Sequence, residues 1–158
     1  MKKTSLEESI VKALKKRGQT LSLAESITGG GLAESITGVS GASEVFLGGF
    51  VTYSDASKVK FLEIPKRLLT KHTAVSEEVA KEMAESTREQ FKSDFAIATT
   101  GVAGPGKAYG QAAGTVWIAI ASKRETITVA LALAGDRATI RRDTIQSALA
   151  TFSRILIP

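Results

Sequence analysis

Apolar positions along the chain follow two rhythms, one recurring every three or four residues and one nearly continuous, and their alternation predicts helices interleaved with buried strands. Leu6, Ile10, Val11 and Leu14 recur at helical spacing. Ser5 and Glu8 are placed as a capping box and Gly18 as a stop, which predicts a helix over residues 5–17. A short strand is expected over 20–24, and Gly29-Gly30-Gly31 opens a second helical stretch through Leu32 and Ile36. Residues 45–53 read as a second strand, Ser54 as the cap of a helix over 55–62, and Pro65 as the start of another helical turn. Ser76 caps a longer helix with Glu77 and Glu78 in its first turn and Val79, Ala80, Met83, Ala84, Thr87 and Phe91 inward. Strands are expected over 95–100, 115–121 and 126–133, the last two as a hairpin. Asp136 caps a final helix that turns Ile140, Ile145, Leu149, Phe152 and Leu156 to the core. This order predicts an α/β fold, a three-layer α/β/α sandwich around a mixed sheet of about five strands. No linker or composition shift divides residues 1–158, so one domain is expected.

The heptapeptide Leu23-Ala24-Glu25-Ser26-Ile27-Thr28-Gly29 recurs word for word from Leu32 to Gly38. A spacing of nine residues is too short for a repeating structural unit, so the recurrence is read as coincidence. The first copy follows a strand directly and the second lies inside a helix. Only the first puts its serine on a turn.

Composition narrows the chemistry. The chain of 158 residues has no cysteine and one histidine, which removes cysteine nucleophiles, disulfides and the usual zinc clusters. No metal and no cofactor is expected. No stretch approaches the ~18 apolar residues of a membrane helix, and Met1-Lys2-Lys3 leads into an amphipathic pattern instead of a leader. A cytoplasmic location without membrane contact is therefore expected. The net charge of +5 favours anionic ligands. Nucleic acid is not the expected partner, because the basic residues are scattered among acidic ones and aromatic residues make up only 6%.

Ligands of open α/β sheets gather at the carboxyl ends of strands, and three loops fall there: residues 25–30, 53–58 and 99–106. Ser26 has glycines beside it that would let backbone N–H groups approach an oxyanion, but a serine needs a base. His72 lies in a basic stretch with no acid or loop glycine beside it and reads as a surface residue. Lys58 falls one helical turn after Tyr53, so both could face one pocket, where burial would favour the neutral amine. Tyr53 could orient or relay the proton. From spacing alone, helix caps account for Ser26 and Thr28, and a solvated side chain accounts for Lys58. Gly101-Val102-Ala103-Gly104-Pro105-Gly106-Lys107 matches most of a P-loop, but Ala108 replaces the magnesium-holding hydroxyl and no helix follows. The glycines read as a pocket wall, with Thr100 offering a hydroxyl. Arg137, with Arg141 and Arg142 one turn on, is a candidate phosphate site at a helix start, although solvation alone accounts for arginines on an exposed helix.

Together these segments resemble the CinA C-terminal domain family, whose stand-alone members are nicotinamide mononucleotide deamidases. The resemblance rests on Ala24-Glu25-Ser26-Ile27-Thr28-Gly29-Gly30, Gly41-Ala42-Ser43, Tyr53-Ser54-Asp55-Ala56-Ser57-Lys58 and Ala74-Val75-Ser76-Glu77-Glu78-Val79-Ala80. It continues through Thr100-Gly101-Val102-Ala103-Gly104-Pro105, Gly114-Thr115-Val116 and Gly135-Asp136-Arg137. It implies a serine amidohydrolase that needs no metal, with Ser26 as nucleophile, Lys58 as base and Tyr53 and Thr100 at the site. Substrate contacts are then expected from Glu25, Thr28, Gly29, Gly30, Gly101, Ala103, Gly104 and Arg137. The implied substrate is nicotinamide mononucleotide, and the implied assembly a homodimer. A nucleotide-binding module of the same family without turnover is the alternative. One position and one segment depart from the family pattern. Ile27 stands where a cysteine is usual, and residues 106–113 replace an acidic, glycine-rich segment that ends in Lys-Pro.

Overall fold

The computed structural model describes residues 4–157; Met1, Lys2 and Lys3, on which the expectation of no leader falls, lie outside them. The elements run α1 (Leu6–Arg17), β1 (Leu21–Glu25), α2 (Gly31–Thr37), a 3₁₀ turn (Ala42–Glu44), β2 (Phe46–Val51), α3 (Asp55–Leu62), α4 (Lys66–His72) and α5 (Glu77–Phe91). They continue as β3 (Phe95–Gly101), β4 (Thr115–Ala121), β5 (Thr126–Ala132) and α6 (Arg137–Leu156). The expected caps are in place. Ser5 and Glu8 close a capping box, Gly18 ends α1 in the left-handed region, and Ser54, Ser76 and Asp136 each accept a backbone N–H of the helix that follows. The second strand is shorter than expected, Phe46–Val51: Thr52 N–H makes a last bond to Glu25 O, and the chain then turns toward the Ser54 cap.

The sheet is mixed, in the order β2-β1-β3-β4-β5. β1 pairs parallel with both β2 and β3, whereas β4 and β5 continue antiparallel. One face packs against α1, α2 and α6 through large side chains: Leu21, Leu23, Ile97, Val116, Ile118 and Ile120 meet Leu14, Leu32, Leu149 and Phe152. The other face is paved with Ala24, Ala98, Ala119 and Ala121 and receives α5, with Met83 and Val79, and α3 and α4 through Leu62 and Leu69. The period-two alternation of strand side chains thus sends bulk to one layer and alanines to the other. The result is the three-layer α/β/α sandwich. Gly49 serves the edge pairing directly, since a Cβ there would run into the Leu23 backbone.

The connections place the site. The β1 to β2 crossover passes through α2 on one face, and the return from β2 over β1 to β3 passes through α3, α4 and α5 on the other. The carboxyl ends of three parallel strands therefore open between crossovers that leave on opposite sides, the arrangement in which such sheets form a crevice.

Candidate active site

Ser26 is the first residue past β1, where the strand ends and α2 has not begun. Its N–H donates to Thr99 O at 2.9 Å, fixing the turn to β3. Glu25 fixes it from the other side. Its carboxylate, 1% exposed, accepts the N–H groups of Leu32 (2.8 Å) and Ala33 (3.1 Å) at the start of α2. A charge on the free N–H groups of a helix start is favourable, and here it clamps strand to helix across the serine.

Lys58 enters from α3, at the end of β2. It is 1% exposed, and its Nζ donates to Ser26 Oγ at 3.0 Å and to Thr52 O at 2.7 Å. Among the described residues no carboxylate bonds to it. Burial lowers its pKa from 10.5 to about 8, opposed by the Asp55 carboxylate one helical turn earlier, which raises it. A neutral amine is thereby accessible near physiological pH.

Ser26 opens onto a cavity of about 300 Å³ lined also by Ile27, Tyr53, Ala74, Val75, Arg137 and the 100–109 segment, at the small end of the range for small-molecule sites. Among the described residues that line it none is a carboxylate, while Arg137 and Lys107 bring positive charge. Arg137 donates to Gly104 O (2.7 Å) and to the Tyr53 hydroxyl (2.6 Å), bridging the glycine loop and the β2 end.

Ser26, Tyr53, Thr100, Gly101, Ala103, Gly104 and Arg137 are thus brought together on one cavity, with Lys58 behind the serine. Other expectations need correcting. Lys58 does not share the open pocket with Tyr53, because its stem is enclosed and only Nζ reaches the serine; the Tyr53 hydroxyl meets Arg137 instead. Thr100 lines the cavity as expected, with the proton of its hydroxyl committed to Ala74 O at 2.6 Å. Glu25 is a helix clamp, and Thr28, fully buried, pairs its hydroxyl with that of Thr99 at 2.8 Å. Neither lines the cavity, nor do Gly29 and Gly30. Arg141 does not join Arg137, because it is committed to Ile27 O (3.2 Å) and Thr28 O (2.9 Å), and Arg142 sits against Asp143. His72, expected without an acid, lies with Nδ1 3.3 Å from Glu78. The residues after Lys107 form a bridge between Ala108 and Gln111 and then β4, so no helix supports a P-loop.

Lys107, Tyr109 and the Ala74-Val75 turn were not singled out as pocket residues. Gly110 is a turn signal, but nothing local marks Tyr109, whose place over the cavity goes with Gln111 Nε2 donating to Val75 O at 2.6 Å, a contact between distant segments. Among the described residues no helix is long and apolar enough to cross a membrane, and no group of three or more His, Cys, Asp or Glu side chains is placed to hold a metal ion.

Fold and site together define a three-layer α/β/α protein with a serine and a buried lysine in contact at the carboxyl ends of its parallel strands. Its sequence places it further: the chain belongs to the CinA C-terminal domain family, whose profile matches residues 3–156. It is 49% identical over 137 residues to a protein of Caldanaerobacter subterraneus subsp. tengcongensis named as competence-damage inducible, covering 86% of this chain and 33% of that one. A Streptococcus pneumoniae protein of the same name is 40% identical over 155 residues, covering 98% and 37%. The chain thus spans about a third of the length of the curated relatives it matches. Among solved structures, the competence damage-inducible protein A of Klebsiella pneumoniae superposes with a TM-score of 0.93 at 36% identity, over 96% of this chain and 94% of that one. The competence/damage inducible protein CihA of Agrobacterium tumefaciens gives 0.91 at 31% identity over 100% of both.

Proposed function

We propose that the chain is a serine amidohydrolase that converts nicotinamide mononucleotide to nicotinate mononucleotide and ammonia. The observation that carries this reading is the 3.0 Å contact between Ser26 Oγ and the buried Lys58 Nζ. A neutral lysine has two N–H donors and one lone pair. With one N–H held by Thr52 O, the lone pair is free to take the serine proton as Oγ attacks the carboxamide carbon. The lysine, now charged, returns that proton to the departing nitrogen and ammonia leaves. Water, activated by the same amine, then releases the acid from the acyl-serine. The developing oxyanion would draw on the Ile27 N–H, next after the nucleophile, which has no protein acceptor among the described residues. Arg137, at the mouth, is the candidate phosphate ligand, in keeping with a cavity whose described lining holds cations and no carboxylates.

The test is ammonia and nicotinate mononucleotide formation by purified protein, beside Ser26→Ala and Lys58→Met. Turnover by the parent and a loss of at least about a thousandfold in each variant are expected, since residues acting as a unit fail singly. Binding of the nucleotide by the parent with no ammonia released would refute the amidase and leave a nucleotide-binding module.

A further inference from the structure

The outer wall of the cavity is the segment that departs from the family pattern, and its tip holds an unfavourable backbone conformation. Its stem is fixed where Val102 N–H donates to Thr115 O (2.9 Å) and Gly114 N–H to Val102 O (2.7 Å). Further out, Ala108 and Gln111 exchange backbone hydrogen bonds of 3.1 and 2.9 Å around Tyr109 and Gly110, whose φ angles are 53° and 72°. Two central residues with positive φ make the tight turn that favours Asn-Gly or Gly-Gly. A bulky aromatic residue in that region is strained, and such strain collects at functional sites. Tyr109 nevertheless stands there, 46% exposed and on the cavity rim. Its hydroxyl points at Asp55 Oδ1, 3.5 Å away, and Asp55 is one turn of α3 before Lys58. The hydroxyl therefore lies beside the start of the helix that carries Lys58, while the residue lines the same cavity as Ser26, and the Gln111 to Val75 hydrogen bond ties the hairpin to that wall.

We propose that Tyr109 is a specificity-determining residue whose ring face recognises the positive charge of a pyridinium substrate, as the hairpin holds it beside the Ser26–Lys58 pair. The inference rests on the nicotinamide mononucleotide reading above. In that compound the ring nitrogen carries the ribose and the ring is cationic. A carboxamide seated at Ser26 brings the ring to the same wall of the cavity. Attraction between a cation and an aromatic face is electrostatic and is lost when the charge is removed. The reduced dihydropyridine nucleotide keeps the carboxamide, ribose and phosphate and loses only that charge and the ring's aromaticity.

Calorimetric titration of Ser26→Ala, which binds without turnover, with the oxidised and the reduced nucleotide tests this directly. The oxidised form should bind roughly 3- to 30-fold more tightly. That preference should disappear when Tyr109→Ala is added and survive with Tyr109→Phe, which keeps the ring. A preference that survives Tyr109→Ala, one lost equally in Tyr109→Phe, or none at the outset overturns the proposal. Circular dichroism of each variant verifies that the fold is intact. Ammonia release by the parent is read separately: discrimination without ammonia defeats the amidase and leaves this inference standing, whereas ammonia with discrimination that ignores Tyr109 does the reverse.

Discussion

A lysine serves as a base only when neutral, and the surroundings of Lys58 decide how often that is so. Withdrawal from water lowers its pKa to about 8, and the Asp55 carboxylate pulls the other way. If the neutral amine is the working form, kcat/KM for amide hydrolysis climbs as pH passes through about 8 and levels above it. Asp55→Asn removes the carboxylate that favours the charged form, so its profile should rise at lower pH than the parent's. A pH–rate profile flat from about 7 to 9, or one that Asp55→Asn leaves in place, tells against Lys58 as base.

At the scale of elements, the duplicated heptapeptide shows how little a short string determines. In the first copy Glu25 is buried as a clamp, Ser26 lies beside Lys58, and the Thr28 hydroxyl meets Thr99. In the second, the same residues sit in α2, where Glu34 is exposed and the Thr37 hydroxyl bonds back to Ala33 O at 2.9 Å. The copies are also joined, because Glu25 of the first accepts the N–H groups of Leu32 and Ala33 in the second. Glu25→Gln keeps the shape but turns an amide N–H₂ toward those donors. It should cost about 1–3 kcal/mol in denaturant unfolding and lower kcat, since the clamp sets the serine's place. An unchanged urea midpoint would show that the contact contributes nothing.

The elements themselves were legible because caps, glycine stops and apolar patterning are local signals: Ser5 with Glu8, Ser54, Ser76 and Asp136 mark their helices, and the continuous apolar run in 115–121 marks β4. Ser26 and Lys58 were legible as candidates through their loops. The enclosure of the lysine was not, because it depends on tertiary contacts that bring its Nζ to Ser26 Oγ and Thr52 O. Nor were the commitments of Glu25, Thr100 and Arg141, each to a backbone group that another segment brings close. The sequence pattern names a polar residue in a loop, and only the fold decides whether its polar atoms are already occupied.

The whole molecule bears the cost of holding Lys58 where it is. The amine has a lower pKa folded than unfolded, so between about 8 and 10.5 the unfolded chain binds more protons. Stability from this group accordingly rises with pH across that window, and below it a full charge stays buried. Lys58→Met fills the same space without a charge. At pH 7 it should be more stable than the parent, by something on the order of 1–3 kcal/mol, offset in part by the bond lost to Thr52 O. The gain should shrink as unfolding is measured at increasing pH; a Lys58→Met protein weaker than the parent at pH 7 would contradict this. The consequence concerns how the fold changes over generations. If hydrophobic replacements at position 58 fold better, as predicted, a chain under no demand for the proposed reaction is expected to shed this lysine, and relatives that keep the serine–lysine chemistry are expected to keep it.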